Sequence, residues 1–458
     1  MRHAFSLLAA AVLAAFVAQG AAAQEAWDAA DELLVLRGPL VPEAATEEDE
    51  TGRVERVLPV DSDPLDETTT GSLPRRTAAP ETDPYAPLGI RSGGFILYPS
   101  LSVTAGTTTN ATGTAGGAGS AYARVSPELE VRSDWAEHEA TLALRGSYQV
   151  FFDGMTDDRP TAAIEATGRR DLGDGWSIAV EDGYGFETQA ISDADFPAGV
   201  DSPPGVHDLR TSIALNHGGG RALVELESSL HRTIYEDGTS GGSVVDQGDR
   251  TNNVFGGRLR LGYEVGASVT PFVEAELRRR VYDRTVDNDG LMRSAFVQAY
   301  RAGLVFDRAP VLTGEAALGY ARADFDDATL AALSNFTVDG SLAWSPREPV
   351  TVLLNGTTEL RPSADPASSG AVAHQASVDV SYAWRRNVAI AATAGIRHER
   401  FQGTGQIDTL TSAGARLTWK ANRWLWLTAG YEHERLDSTA AGRSYRSEAV
   451  MIELKALR

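Results

Sequence analysis

The chain has 458 residues, is 42% hydrophobic and 23% charged, and carries 45 glycines, no cysteine and a formal net charge of −22. That composition excludes a natively disordered chain as a whole, and the absence of thiols excludes disulfides, thiolate catalysis, iron–sulfur clusters and cysteine-rich zinc sites. The acidic balance argues against nucleic acid, whose phosphates select basic surfaces, and the length suits two or three ordinary domains or one large β architecture.

Residues 1–23 open with Arg2 and His3, continue as an apolar run from Phe5 to Ala18, and end on Ala21-Ala22-Ala23 before Gln24. This is the pattern of a cleavable secretory signal peptide. No later stretch reaches the 18 or more consecutive apolar residues of a membrane helix. The expected destination is therefore the periplasm, the exterior or the outer membrane. Residues 24–84 hold 16 Asp and Glu against 5 Arg, seven prolines and the run Glu47-Glu48-Asp49-Glu50. Such a segment buries too little apolar surface to offset chain entropy. It reads as an acidic, solvated periplasmic segment, with docking of a periplasmic partner as the sharper alternative.

From Gly94 onward one pattern repeats, strand–turn–strand without a helical period. Leu259 to Tyr282 (LRLGYEVGASVTPFVEAELRRRVY) shows it well. Leu259, Leu261 and Tyr263 share one parity, and Arg258, Arg260 and Glu264 the other. After the turn, Val269, Val273, Ala275 and Leu277 alternate with Glu274, Glu276, Arg278 and Arg280. Period-two alternation gives strands with two different faces. Eighteen such segments run from 94–107 to 443–456, and a split or merged one would make 16 or 20. Short connections such as Gly173-Asp174-Gly175 and Ala421-Asn422 alternate with long ones such as TQAISDADFPAGVDSPPG and RPSADPASSG. Outer-membrane barrels have this alternation, tight on the periplasmic side and long outside. Seven tryptophans, Trp135, Trp176, Trp344, Trp384, Trp419, Trp424 and Trp426, lie at or beside short connections, as an aromatic girdle at one membrane interface would place them. The fold expected is all-β, a transmembrane antiparallel β-barrel occupying residues 85–458 with its apolar parity toward lipid.

The segment YAPLGIRSGGFILYPSL (Tyr85 to Leu101), then PELEVRSDW (Pro127 to Trp135), His138 and RGSY (Arg145 to Tyr148) resemble the first strands of a β-barrel porin family of Gram-negative outer membranes. The resemblance implies an outer-membrane barrel and no particular cargo. The chain ends IELKALR and so departs from the terminal aromatic that the barrel-assembly machinery recognises in many such proteins. Ile452, Leu454 and Ala456 nevertheless keep the alternation.

On the polar parity the expected lumen charges are Arg124, Glu128, Glu130, Arg132, Arg145, Glu225, Glu227, Arg258, Arg260, Glu274, Glu276, Arg278, Arg280, Arg397 and Glu399. They form either charge rings that filter solutes or cross-strand pairs that satisfy a hydrated interior. Asp153, Asp157, Asp158, Asp193, Asp195, Asp324, Asp326 and Asp327 make the outer loops acidic. That suits solvated loops, with divalent cations bridging lipopolysaccharide as the alternative. The eight histidines are isolated, no HExxH motif occurs, and Gly113 to Gly119 lacks the lysine and strand-to-helix setting of a phosphate loop. Neither an enzyme nor a cofactor is expected. The function expected is a porin-like channel for passive diffusion of small hydrophilic solutes. A polysaccharide export conduit with a periplasmic partner, and a structural or surface-interaction barrel with a closed lumen, stay open as alternatives.

Overall fold

The computed structural model describes residues 45–48, 54–57 and 84–458, apart from residues 136, 137, 198, 219 and 348. The signal segment and most of the acidic segment 24–84 lie outside the described residues; within the latter, Ala45–Glu48 pairs antiparallel with Val54–Val57.

Eighteen long strands follow. They are β1 (Phe95–Thr108), β2 (Ser120–Ser133), β3 (His138–Phe151), β4 (Arg159–Gly173), β5 (Trp176–Thr188), β6 (Gly205–His217), β7 (Ala222–Tyr235), β8 (Asn252–Tyr263) and β9 (Val269–Tyr282). The second half comprises β10 (Ala295–Arg308), β11 (Leu312–Phe325), β12 (Leu333–Arg347), β13 (Val350–Pro362), β14 (Gly370–Arg385), β15 (Val388–Gln402), β16 (Ile407–Asn422), β17 (Leu425–Ser438) and β18 (Tyr445–Leu457). Ile90–Ser92 folds back on the start of β1, and Gly238–Ser240 pairs with Ser243–Val245 in the β7–β8 connection. Each long strand pairs antiparallel with its chain neighbours, and β18 pairs with β1, from Ala449 opposite Thr108 to Leu457 opposite Ser100. The cylinder is thus closed. Strand ends depart from the sequence reading by up to three residues, as at the start of β10 and the ends of β16 and β17.

Register explains which side faces what. Leu226, Leu259 and Ala275 stand abreast, as do Val224, Leu261 and Val273, while Glu227, Arg258 and Glu276 share the other face. Leu261 and Val273 are 46% and 56% exposed, whereas Arg258 and Glu274 are 5% and 4% exposed. This inverts the arrangement of a soluble sheet, in which the apolar side is covered. An apolar outside and a charged inside fit a cylinder in hydrocarbon, where only closure satisfies every edge group. Eighteen strands ~4.8 Å apart and tilted by ~40° give a cylinder ~36 Å across. The β4–β5 hairpin shows how the tight turns are made. Gly173, Asp174 and Gly175 all take positive φ (87°, 53° and 76°), a conformation that costs glycine nothing and that aspartate tolerates better than most residues.

One junction is incomplete. β12 and β13 pair only from Gly340–Trp344 opposite Gly356–Val352, and again at Arg347 opposite Val350. Toward the long-loop end the two strands stay paired to their outer neighbours, β11 and β14, but not to each other.

Leu259→Arg, on the apolar face near the middle of β8, is expected to lower unfolding free energy by about 2–4 kcal/mol in lipid vesicles, and Tyr263→Arg at the strand end by no more than ~1 kcal/mol. Denaturant titration of the refolded barrel measures both. Equal losses at the two sites would contradict a lipid-facing surface.

Candidate functional site

The inner wall of β7–β12 carries a continuous ion network. Arg258 on β8 bridges Glu225 (2.6 Å) and Glu227 on β7. Arg260 donates to Glu274 on β9 (2.7 Å) and to Glu315 on β11 (2.7 Å). Arg301 on β10 donates to Glu274 (2.8 Å), Glu276 (2.7 Å) and Asp339 on β12 (2.9 Å). Arg278 approaches Glu276 at 3.3 Å. A side chain on β8 meets one on β11 only where the wall curves tightly, and small residues permit it. The Arg260 guanidinium lies 3.8 Å from the ring centroid of Phe272, and that ring occupies the space a Cβ on Gly303 would need, 2.6 Å away. A Cβ on Gly319 would stand 2.7 Å from Cγ of Arg301, so glycine lets the Arg301 chain pass over β11 to Asp339. Removing water from these charges is costly, and the paired, hydrogen-bonded geometry offsets it.

Elsewhere on the inner wall, Glu128 accepts from Lys455 (3.0 Å) and Ser100 (3.0 Å) and lies 3.3 Å from Arg145, which also donates to Glu165 (2.8 Å). This chain spans β18, β1, β2, β3 and β4 and crosses the closure seam. Glu130 pairs with Arg132, and Glu399 with Arg361 and, at 4.0 Å, Arg397. Arg124 stands opposite Thr104 on the same face, and Arg280 donates to Asn252 (3.0 Å). All fifteen expected lumen charges fall on the inner parity. Arg301, Glu315 and Asp339, which complete the β7–β12 network, were not picked out from the sequence. Their strands carry Ala and Gly on both faces, so alternation is weak there, and only the pairing of Arg301 with Glu274 across β9–β10 reveals the face.

Trp176, Trp344, Trp384, Trp419 and Trp424 are exposed on the outer face at the short-turn end, and Trp135 packs edge-on against Phe95 at 5.1 Å. Trp426 departs from the girdle. It shares the inner face with Lys420, whose ammonium lies 4.9 Å from its ring centroid, because Leu425, Leu427 and Tyr431 take the outer parity of β17. A second aromatic set on the outer face, including Tyr148, Phe255, Phe296, Tyr320 and Phe336, rises toward the long loops and contains no tryptophan.

The long loops fold over the mouth. Asp195, in the β5–β6 loop, accepts from Ser363 Oγ (2.7 Å) and the Ala364 amide (3.0 Å) in the β13–β14 loop. These loops lie eight strands apart on a ring of eighteen, nearly opposite, so the contact crosses the opening. From the β17–β18 loop Arg443 donates to the Ser192 (3.0 Å) and Asp193 (3.2 Å) carbonyls, and from the β7–β8 loop Arg250 donates to Gln189 (3.0 Å). Arg293 binds the Ser363 (2.6 Å), Asp365 (2.9 Å) and Ser368 (3.0 Å) carbonyls. Burial, then the neighbouring Asp193 carboxylate, raise the Asp195 pKa above the usual carboxylate range. Asp153 behaves oppositely. The Met155 amide and the Thr156 hydroxyl and amide hold it down to about 2. The other loop carboxylates are engaged locally: Asp157 with Ser202, Asp158 with Tyr148, Asp324 with Arg322, Asp326 with Arg279 and Asp327 with Thr329. Among the described residues no group of three or more His, Asp or Glu is arranged around a metal position.

Glu274→Gln strips the network of its central charge and is expected to cost about 3–5 kcal/mol of unfolding free energy in detergent micelles, whereas Asp437→Asn, in an exposed pair with Arg435 (2.7 Å), costs under ~1 kcal/mol. Matching losses would show that the inner network is solvated like a surface pair.

Comparison with solved structures finds outer-membrane barrels at low identity. OpdK of Pseudomonas aeruginosa shows 11% identity and TM-score 0.42, with 79% of this chain and 99% of that chain covered. A mutant of the ferric enterobactin receptor PfeA from the same organism shows 9% and 0.38, with 79% and 80% covered. The FrpB iron transporter of Neisseria meningitidis shows 9% and 0.42, with 74% and 61% covered. No curated protein matches. The family described as Putative beta-barrel porin 2 matches residues 83–458, the whole of the closed eighteen-strand barrel, and the chain belongs to that family of outer-membrane β-barrels.

Proposed function

We propose that the barrel is a porin-like channel for passive diffusion of small hydrophilic solutes, with the looped-over mouth as its constriction. The observation that carries this reading is the inner wall. A lumen meant to stay dry has no use for ionised side chains on nearly every strand, and a cylinder ~36 Å across is too wide for its own side chains to fill. The β7–β12 network sets four arginines (Arg258, Arg260, Arg278 and Arg301) against six carboxylates (Glu225, Glu227, Glu274, Glu276, Glu315 and Asp339), an acidic excess that favours cations. On the outside, Arg232 pairs with Asp283 (2.7 Å) and Arg279 with Asp326 (2.6 Å) where the apolar face gives way to the loops. That level suits the anionic headgroups of lipopolysaccharide.

Planar-bilayer recording of the refolded protein is expected to show conductance with a cation-selective reversal potential in a KCl gradient, retained on deletion of residues 24–84; a silent bilayer would remove the pore reading. The mouth adds a pH dependence. A carboxyl whose folded pKa is raised by burial and a neighbouring carboxylate favours its buried placement fully below the unfolded value of about 4 and loses that stability as pH climbs through the folded value. Asp195 therefore ties the loops most firmly in acid, and conductance is expected to rise from pH 4 to pH 8. Asp195→Asn, which stays neutral, is expected to flatten that rise.

A further inference from the structure

One acidic side chain stands on the lipid side of the barrel at mid-height. Asp182 is the seventh of 13 residues in β5. It shares its parity with Trp176, which is exposed on the outer face, and with Val180, whose direct partner Ile213 is exposed there too. Asp182 Oδ1 accepts from Thr211 Oγ1 on β6 (2.6 Å), and Asp182 has no cationic partner among the described residues. The other acidic side chains that the described strands carry on the outer face are Asp324, Asp437 and Glu448. They lie within four residues of a long-loop end, and each pairs with an arginine. Ionisable groups inside a membrane are rare and are retained where protein or water covers them.

Its complement lies two strands away. Direct partners climb toward the long loops from strand to strand: from Asp182 through Thr211 and Leu230 the ladder reaches Phe255, fourth from the loop end of β8. With strands tilted by ~40°, the residue level with Asp182 on β7 lies about two positions nearer the short turns than Leu230, and that residue is Ser228. Ser228 is exposed on the outer parity beside Leu226, and its hydroxyl has no hydrogen-bond partner among the described residues. Small residues flank the pair, Ala166 opposite Asp182 and Gly257 opposite Ser228, and exposed Leu209, Ile213 and Leu226 frame it. A two-fold axis along the membrane normal in front of β6 exchanges left and right at constant height. It therefore sets Asp182 of each copy against Ser228 of the other, the self-complementary pattern of an isologous interface. A contact as wide as β4–β8 and ~25 Å tall covers about 1,200 Å² in total, the lower edge of a specific interface.

We propose that the outer face of β5–β7 is the contact surface between two copies of this chain in the membrane, with Asp182 of each copy accepting a hydrogen bond from Ser228 of the other. This pairing is separate from axial diffusion and does not require it. The chain has no native cysteine, so Ile213→Cys, beside the axis, gives one thiol per copy. Oxidation of this full-length variant in phospholipid vesicles is expected to yield a disulfide-linked dimer. Leu318→Cys, also midway along its strand and exposed on the outer face of β11, is expected to yield only background. Subunit counting by single-molecule photobleaching, over a falling protein-to-lipid ratio, is expected to show dimers in the parent. Asp182→Leu and Ser228→Ala are each expected to raise the dissociation constant about tenfold, through loss of two symmetry-related hydrogen bonds. Asp182→Asn, which keeps an accepting oxygen, is expected to stay near the parent. A monomer at every ratio, equal cross-linking from Leu318→Cys, or dimers indifferent to both Asp182→Leu and Ser228→Ala would each overturn the proposal, as would linkage of Ile213→Cys in native outer membranes to a different protein alone.

Discussion

The constraint on which this molecule depends is that hydrocarbon offers no hydrogen bonds. Every backbone amide and carbonyl at membrane depth must find its partner in the protein, and a sheet meets that demand only by closing on itself. Closure falls to β18 and β1, which meet along nine residue pairs, and side chains repeat the bond on the inner face, with Lys455 and Ser100 both held by Glu128. The same rule makes the β12–β13 junction instructive. Where the ladder stops, hydroxyl and carboxylate groups of Thr358 and Asp339 take over backbone partners, and they do so toward the loops, where water is near and an imperfect partner costs least.

Inside the cylinder the demand is reversed. The wall must tolerate water, yet its charges are crowded enough to exclude most of it: the side chain of Glu274 has no exposed surface and that of Asp339 is 1% exposed. Such groups persist only when each is paired. Arginine suits the task because one planar guanidinium serves two or three carboxylates at once, as Arg301 does across three strands. That reach depends on what lies beneath it. Gly303 and Gly319 are small because a ring and an arginine chain occupy the space where their side chains would stand. Charge pattern and glycine pattern are therefore two aspects of one packing problem.

Most of the architecture was legible from alternation alone. Strands such as β8 and β9 advertise their faces, with Leu259, Leu261 and Val273 against Arg258, Arg260 and Glu274, and the alternation of tight and long connections conveys orientation. β10 to β12 were harder. In Gln298 to Phe306 and Thr313 to Ala323 alanine and glycine occupy both parities, so nothing local says that Arg301 and Glu315 point inward. Trp426 differs, because alternation did mark it: Leu425, Leu427 and Tyr431 hold the exposed parity of β17, and Trp426 shares the other parity with Glu432 and Glu434, so nearness to a short turn was the misleading signal. The looped-over mouth was illegible altogether. Asp195 and Ser363 are 168 positions apart, and their meeting depends on barrel diameter and loop path rather than on any local pattern.

Two seals, one across the mouth and one in the wall, turn out to share a moving part. The segment from Thr357 to His374 carries Thr358 and His374, which hold the wall, and Ser363 and Ala364, which hold the mouth. Its anchors differ in kind: Arg293 binds its loop through backbone carbonyls and has no dependence on the loop's sequence, while Asp195 binds it through an ionisable group. Gly370, at φ 145° and with the Leu333 side chain where its Cβ would be, allows the hairpin to turn inward close against β12. A displacement that frees Ser363 from Asp195 therefore pulls on Thr358 through five unbroken pairs of the β13–β14 ladder, from Pro362–Gly370 to Thr358–His374, and the stiffness of that ladder makes one element answer for both barriers.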